Sequence, residues 1–115
     1  MGRRNRQREK LTAPSSEYRD GDGNTLELRG SLTPAARDEY ARVLGGGLNQ
    51  EDAWQRATEL LFERLTVSWT ISSVPIERQK ELLGRYRMAS NDERRFVRDA
   101  LREHLQANFP EMQAP

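Results

Sequence analysis

Ser90-Asn91-Asp92-Glu93 is a capping box. Its serine side chain can accept the amide of Glu93, and the Glu93 carboxylate can reach back to the amide of Ser90. Behind it, Phe96, Val97, Ala100, Leu101 and Leu105 fall on one face at helical spacing, and Asn108-Phe109-Pro110 ends the pattern. A helix with so sharp a start and so clean a stripe must bury that stripe against other elements. The chain has 115 residues, of which only 35% are hydrophobic, so the core available for this is that of one small domain.

Further helix signals precede it. Thr33-Pro34 supplies an N-cap and a proline for the first helical position, followed by Ala36, Tyr40, Val43 and Leu44 at helical spacing. Gly45-Gly46-Gly47 then offers a left-handed cap. Asn49, with Asp52 three residues on, starts a second helix. In it Ala53, Trp54, Ala57, Leu60, Leu61, Phe62 and Leu65 cover an arc of roughly 200°. So wide an arc means either a central helix packed on two sides or apolar surface kept for a partner. Val67, Trp69 and Ile71 alternate with hydroxyl residues, as a strand would. Because no partner strand is evident after them, the preferred reading continues the helix to about residue 69, with an extended exit. Val74-Pro75-Ile76 then opens a third helix carrying Leu82, Leu83 and Tyr86. Near the start, Leu26 and Leu28 alternate with charged residues after the turn-like Asp20-Gly21-Asp22-Gly23-Asn24, which fits a short β-hairpin or single strand. The expected fold is therefore mainly α: about four helices in one bundle-like domain with a short N-terminal β element. Residues 1–16 form a flexible basic arm, residues 17–109 the helical domain, and residues 110–115 a C-terminal tail.

Charge sharpens this division. Nineteen cations against eighteen carboxylates give a net charge of +1. Within residues 1–12, however, Arg3, Arg4, Arg6, Arg8 and Lys10 face Glu9 alone, leaving a basic arm before a mildly acidic body. Arginines outnumber lysines 17 to two, which points to a GC-rich genome. Cysteine is absent and His104 is the single histidine, so disulfides, thiolate zinc sites and sites needing two imidazoles are excluded. No apolar run approaches the roughly 20 residues of a membrane helix. Met1-Gly2-Arg3-Arg4-Asn5-Arg6 has no apolar segment behind it, so a soluble cytoplasmic protein is expected.

Three constellations invite chemistry and fall short of it. Asp20, Asp22 and Asn24 match the first ligands of a calcium loop, but Thr25 and Ser31 stand where glycine and a bidentate glutamate are needed. The triple glycine follows a helix where a phosphate loop follows a strand. His104 lies in the apolar stripe with no obligate nucleophile or carboxylate, which fits a hydrogen-bonded histidine at a core or interface edge better than a general base or pH switch. On the last helix Arg94, Arg95, Arg98 and Arg102 share one flank. They form either an anion-binding stripe or a solvated face with pairs such as Arg95–Asp99. No enzyme, cofactor or metal is expected.

Thr25 to Arg29, then Leu32-Thr33-Pro34 and a first helix, then Leu60-Leu61-Phe62-Glu63-Arg64-Leu65-Thr66-Val67-Ser68-Trp69-Thr70-Ile71, a proline-led helix and a capped final helix together resemble the small tail assembly chaperones of long-tailed bacteriophages, especially those infecting actinobacteria. In that family a Leu-x-Val-x-Trp-x-Ile/Leu segment often follows the main helix, as Leu65 to Ile71 does here. The resemblance covers residues 24–108. It implies a non-enzymatic, mostly helical viral protein that binds the tape-measure protein, keeps it soluble and assists tail-tube assembly, with homo-oligomerisation possible. The expected partner surface is Trp54, Leu61, Phe62, Leu65 and Trp69. Two other readings stand beside it. One is a nucleic-acid-binding accessory protein using Arg3, Arg4, Arg6, Arg8 and Lys10, with Arg98 and Arg102. The other is a structural or adaptor subunit of a larger assembly.

Overall fold

Leu65 is the last residue of a helix and Thr66 the first of a strand, with no loop between them. The β-branched pair Thr66-Val67 disfavours further helix, and Thr66 takes extended dihedrals while its amide still donates to the carbonyl of Phe62. The structure, a computed structural model, describes residues 14–46 and 49–115. In chain order its elements are β1 (Ser16–Arg19), β2 (Thr25–Leu28), α1 (Pro34–Gly45), α2 (Gln50–Leu65), β3 (Thr66–Ile71), β4 (Val74–Ile76), α3 (Gln79–Arg87) and α4 (Asn91–Asn108). The arm residues Arg3, Arg4, Arg6, Arg8 and Lys10, and also Gly47, lie outside the described residues.

The four strands form one antiparallel sheet in the order β1-β2-β3-β4. Among the described residues there are thus four helices and a four-stranded sheet. The fold is α+β, which corrects the expected mainly α, all-helical bundle. The missing partner strand is β4, at the position read as the start of the third helix; that helix begins at Gln79 instead. Pro75 is compatible with β4 because an edge strand can spare an amide. The β3–β4 connection is the two-residue loop Ser72-Ser73, with φ of 52° and 67°. Two left-handed residues are what a type I′ hairpin turn requires, and serine is a poor choice for them. The turn is held from outside: the amide of Ser72 donates to Oδ1 of Asn24, 3.0 Å away, so the tips of the two hairpins are tied together.

The core face of the sheet carries a row across all four strands. Tyr18 pairs with Leu26, Leu26 with Trp69, and Trp69 with Ile76. A register shift lets Leu28 face Thr66 while Glu27 faces Ser68, so Val67 is left over as a bulge. The bulge turns both Thr66 and Trp69 towards the helices despite their odd spacing, and both are buried. The helices cover this face, with α4 against β2, α3 against β3, and α2 against both helices and the sheet, while α1 packs on α2. Phe62 is the meeting point. Its ring stacks on Tyr86 of α3 at 5.0 Å and meets Trp69 edge-on at 5.8 Å.

The caps read from sequence form. Thr33 accepts the amide of Ala36, Asn49 accepts those of Glu51 and Asp52, and the Ser90–Glu93 box closes in both directions. Gly46 departs from the expected left-handed cap, with φ −105°. Its lack of a side chain matters for another reason: a Cβ there would come within 2.7 Å of the carbonyl oxygen of Arg42. The C-terminal residues lie against the domain. Phe109 is buried, and the Tyr40 hydroxyl donates to the carbonyl of Gln113.

Replacing Ser72 with Asn and Ser73 with Gly relieves two left-handed serines, each costing about 1 kcal/mol or more. The double variant should melt roughly 4 °C or more above the parent in a calorimetric scan. A lower melting temperature would show that the serine side chains hold this turn.

Candidate functional site

Arg37, Arg56, Arg64, Arg85 and Arg87 each pair with a carboxylate. On α4, none of Arg94, Arg95, Arg98 and Arg102 pairs with an Asp or Glu side chain among the described residues. The alternative pair Arg95–Asp99 does not form. Arg94, Arg98 and Arg102 follow one another at four-residue spacing, and so form a ridge along the helix. Arg94 donates to the carbonyl of Arg87 and lies 5.8 Å from the centre of the Tyr86 ring. Arg102 donates through Nε to the main-chain oxygen of Pro115 at 3.2 Å.

This ridge is one wall of a groove whose other wall is α2 and whose floor is Tyr86. One end, about 500 Å³, is bounded by Gln50, Glu51, Trp54, Thr58, Arg98 and Arg102. The other end, about 300 Å³, is bounded by Gln55, Glu59, Arg94, Arg95 and Arg98. Trp54 is 43% exposed, the one large aromatic so placed among the described residues. Burial pushes the pKa of the Tyr86 hydroxyl up, against the opposing pull of Arg94 and Arg98.

Of the five residues expected to meet a partner, Trp54 alone reaches the surface. Leu61, Phe62, Leu65 and Trp69 are each no more than 1% exposed. They are core because α2 is the central helix: its wide arc is filled on two sides, by Trp69 and α3 on one and by α1 on the other. The sequence signal that did mark the groove was the one-sided arginine flank of α4.

His104 is fully buried and its partners fix its tautomer. The carbonyl oxygen of Arg29 can only accept, so Nε2 carries the proton. Nδ1 then accepts from the Tyr18 hydroxyl at 2.8 Å and from Nδ2 of Asn108 at 3.2 Å. Burial, outweighing the bond to Arg29, lowers the imidazole pKa. One neutral side chain thus joins β1, the end of β2 and α4. The acidic turn is equally committed to structure: Asp20 Oδ1 accepts the amides of Asp22 and Asn24, and Oδ2 accepts Nδ2 of Asn24. Glu93 serves twice. It closes the capping box and receives both terminal nitrogens of Arg85, whose guanidinium lies 5.4 Å from the centre of the Trp69 ring. Arg85 first, and then the Ser90 amide, hold its carboxyl below the usual range.

A hollow of about 770 Å³ lies between the end of β2 and the start of α3. It is bounded by Arg29, Glu63, Arg64 and Glu77, with Thr66. Its charges are balanced, and Arg64 is already paired with Glu39. No family model matches the chain, and no curated protein or solved structure matches it either.

The lowered folded-state pKa of His104 sets a pH window. The unfolded value is about 6.5, so stability is complete above it and falls as pH drops towards the folded value, by at most about 1.4 kcal/mol per pH unit. Urea unfolding should give a constant free energy from pH 8 to 7 and a falling one from about 6.5 to 5. His104→Gln should be less stable at pH 7.5 yet flat across that window. A parent protein that is also flat there would mean that the imidazole takes up its proton as readily in the fold as in the unfolded chain.

Proposed function

We propose that this chain is a non-enzymatic assembly factor of the phage tail chaperone kind, acting by reversible contact with a protein client through the α2–α4 groove. The observation that carries the reading is an exposed tryptophan set beside arginines that no Asp or Glu side chain engages among the described residues, over a tyrosine floor. Trp, Tyr and Arg are the side chains that most often dominate protein–protein contacts, and a large exposed aromatic beside them costs solubility unless something covers it. The sequence resemblance over residues 24–108 adds the kind of client: a long tape-measure protein held soluble until the tail tube forms. The sheet is not what the resemblance implies, and the contact proposed here differs accordingly. It lies at Trp54 and α4, not along the buried face of α2.

The test is capture of partners by tagged protein from its native producing cells at moderate salt, with bound protein and nucleic acid both identified. A long, helix-rich protein should be the main partner. Trp54→Ala should weaken its capture about thirtyfold, as loss of an anchor contributing about 2 kcal/mol would, while leaving the melting temperature within a degree or two. Nucleic acid that leaves with salt, and that is lost on deletion of residues 1–12, would replace this reading with the accessory-protein alternative.

A further inference from the structure

Resting on the protein-binding reading, we infer that the α2–α4 groove takes an extended acidic segment in which carboxylate and apolar side chains alternate. Four observations converge on this chemistry. First, Arg95 and Arg98 have no hydrogen-bonded partner among the described residues, although carboxylates engage five other arginines of the same molecule. Second, the spacing fits. Arg94, Arg98 and Arg102 are separated by about 6 Å along the helix axis, and alternate residues of an extended chain by roughly 6.6 Å. Every second side chain of a strand laid along the ridge would therefore meet a guanidinium.

Third, the remaining side chains of such a strand face the opposite wall, where Trp54 offers an apolar surface and Gln50 and Gln55 offer amides. That wall also carries Glu51 and Glu59. A continuous polyanion such as a nucleic-acid backbone would have to pass both, whereas a peptide can turn its carboxylates to one edge only. Fourth, the chain's own Pro115 borders one end of this groove, and residues 113 and 115 are held through main-chain oxygens. The Tyr40 hydroxyl donates to Gln113, and Arg102 donates to Pro115. One guanidinium of the ridge thus already binds a main-chain oxygen at the end of the groove.

The probe is an acetylated hexapeptide of alternating glutamate and leucine, titrated into the whole protein while tryptophan emission is followed. Trp69 is buried, so the change should come from Trp54 and vanish in Trp54→Phe. Binding should weaken with salt, and the same peptide with glutamine for glutamate should bind at least about tenfold more weakly. Arg98→Glu should lose about tenfold or more with an unchanged melting curve. Should that variant fold poorly, the milder Arg98→Gln should still lose severalfold. No emission change up to millimolar peptide, equal affinity for the glutamine peptide, or tighter binding of oligothymidylate would each overturn the inference. Client capture from cells separates this from the broader reading. A client retained by Arg98→Glu overturns the acidic-segment chemistry alone, whereas absence of any protein client overturns the function from which it starts.

Discussion

Trp69 is the side chain around which the molecule is organised. It stands in the middle of the cross-strand row, directly paired with Leu26 on one side and Ile76 on the other. From above it is met by the edge of Phe62, and beside it lies the guanidinium of Arg85. Its indole nitrogen has no hydrogen-bond partner among the described residues, so its burial rests on packing and on the guanidinium over its ring. Each neighbouring element has a reason to be where it is that runs through this residue. β3 leaves α2 without a loop, the bulge at Val67 aims the ring inwards, and the capping box of α4 supplies the carboxylate that fixes Arg85 against it.

Much of the helical half was legible because its signals are local. A capping box, an Asn cap and a Thr-Pro start each act within one turn, and a reader needs nothing beyond neighbouring residues to find them. The sheet was not legible, for an equally physical reason. β3 and β4 are joined by Ser72-Ser73, which lacks the Asn-Gly or Asp-Gly chemistry that normally announces a tight hairpin. The turn is instead stabilised from a distance by Asn24. With the hairpin hidden, Pro75 reads as a helix start, and the alternation of Val67, Trp69 and Ile71 loses its partner.

The site shows the same division. The arginine flank of α4 could be seen in sequence because like charges at four-residue spacing repel unless something else answers them. That Trp54 reaches solvent while Leu61, Phe62 and Leu65 do not could not be read from the helix alone. The wide apolar arc of α2 left two possibilities, a two-sided core or an open surface, and only the presence of the sheet decides between them. His104 was readable as a hydrogen-bonded histidine at a core or interface edge, and its full burial decides for the core. Its partners were not, because Tyr18 and the carbonyl of Arg29 come from elements far away in the chain.

The topology also governs how the chain can come together. β2 and β3 are neighbours in the sheet, yet α1 and α2 both lie between them in sequence. Each hairpin on its own has two strands, too few to persist in water. Joining them means closing a loop that contains both helices, and that loop can close cheaply only once the helices have paired. The helix pair is thus the clasp that brings the hairpins into register, and neither half of the sheet outlives its opening. A chain built this way should fold late and all at once, at a speed set by the long-range strand pairing more than by its fast-forming helices.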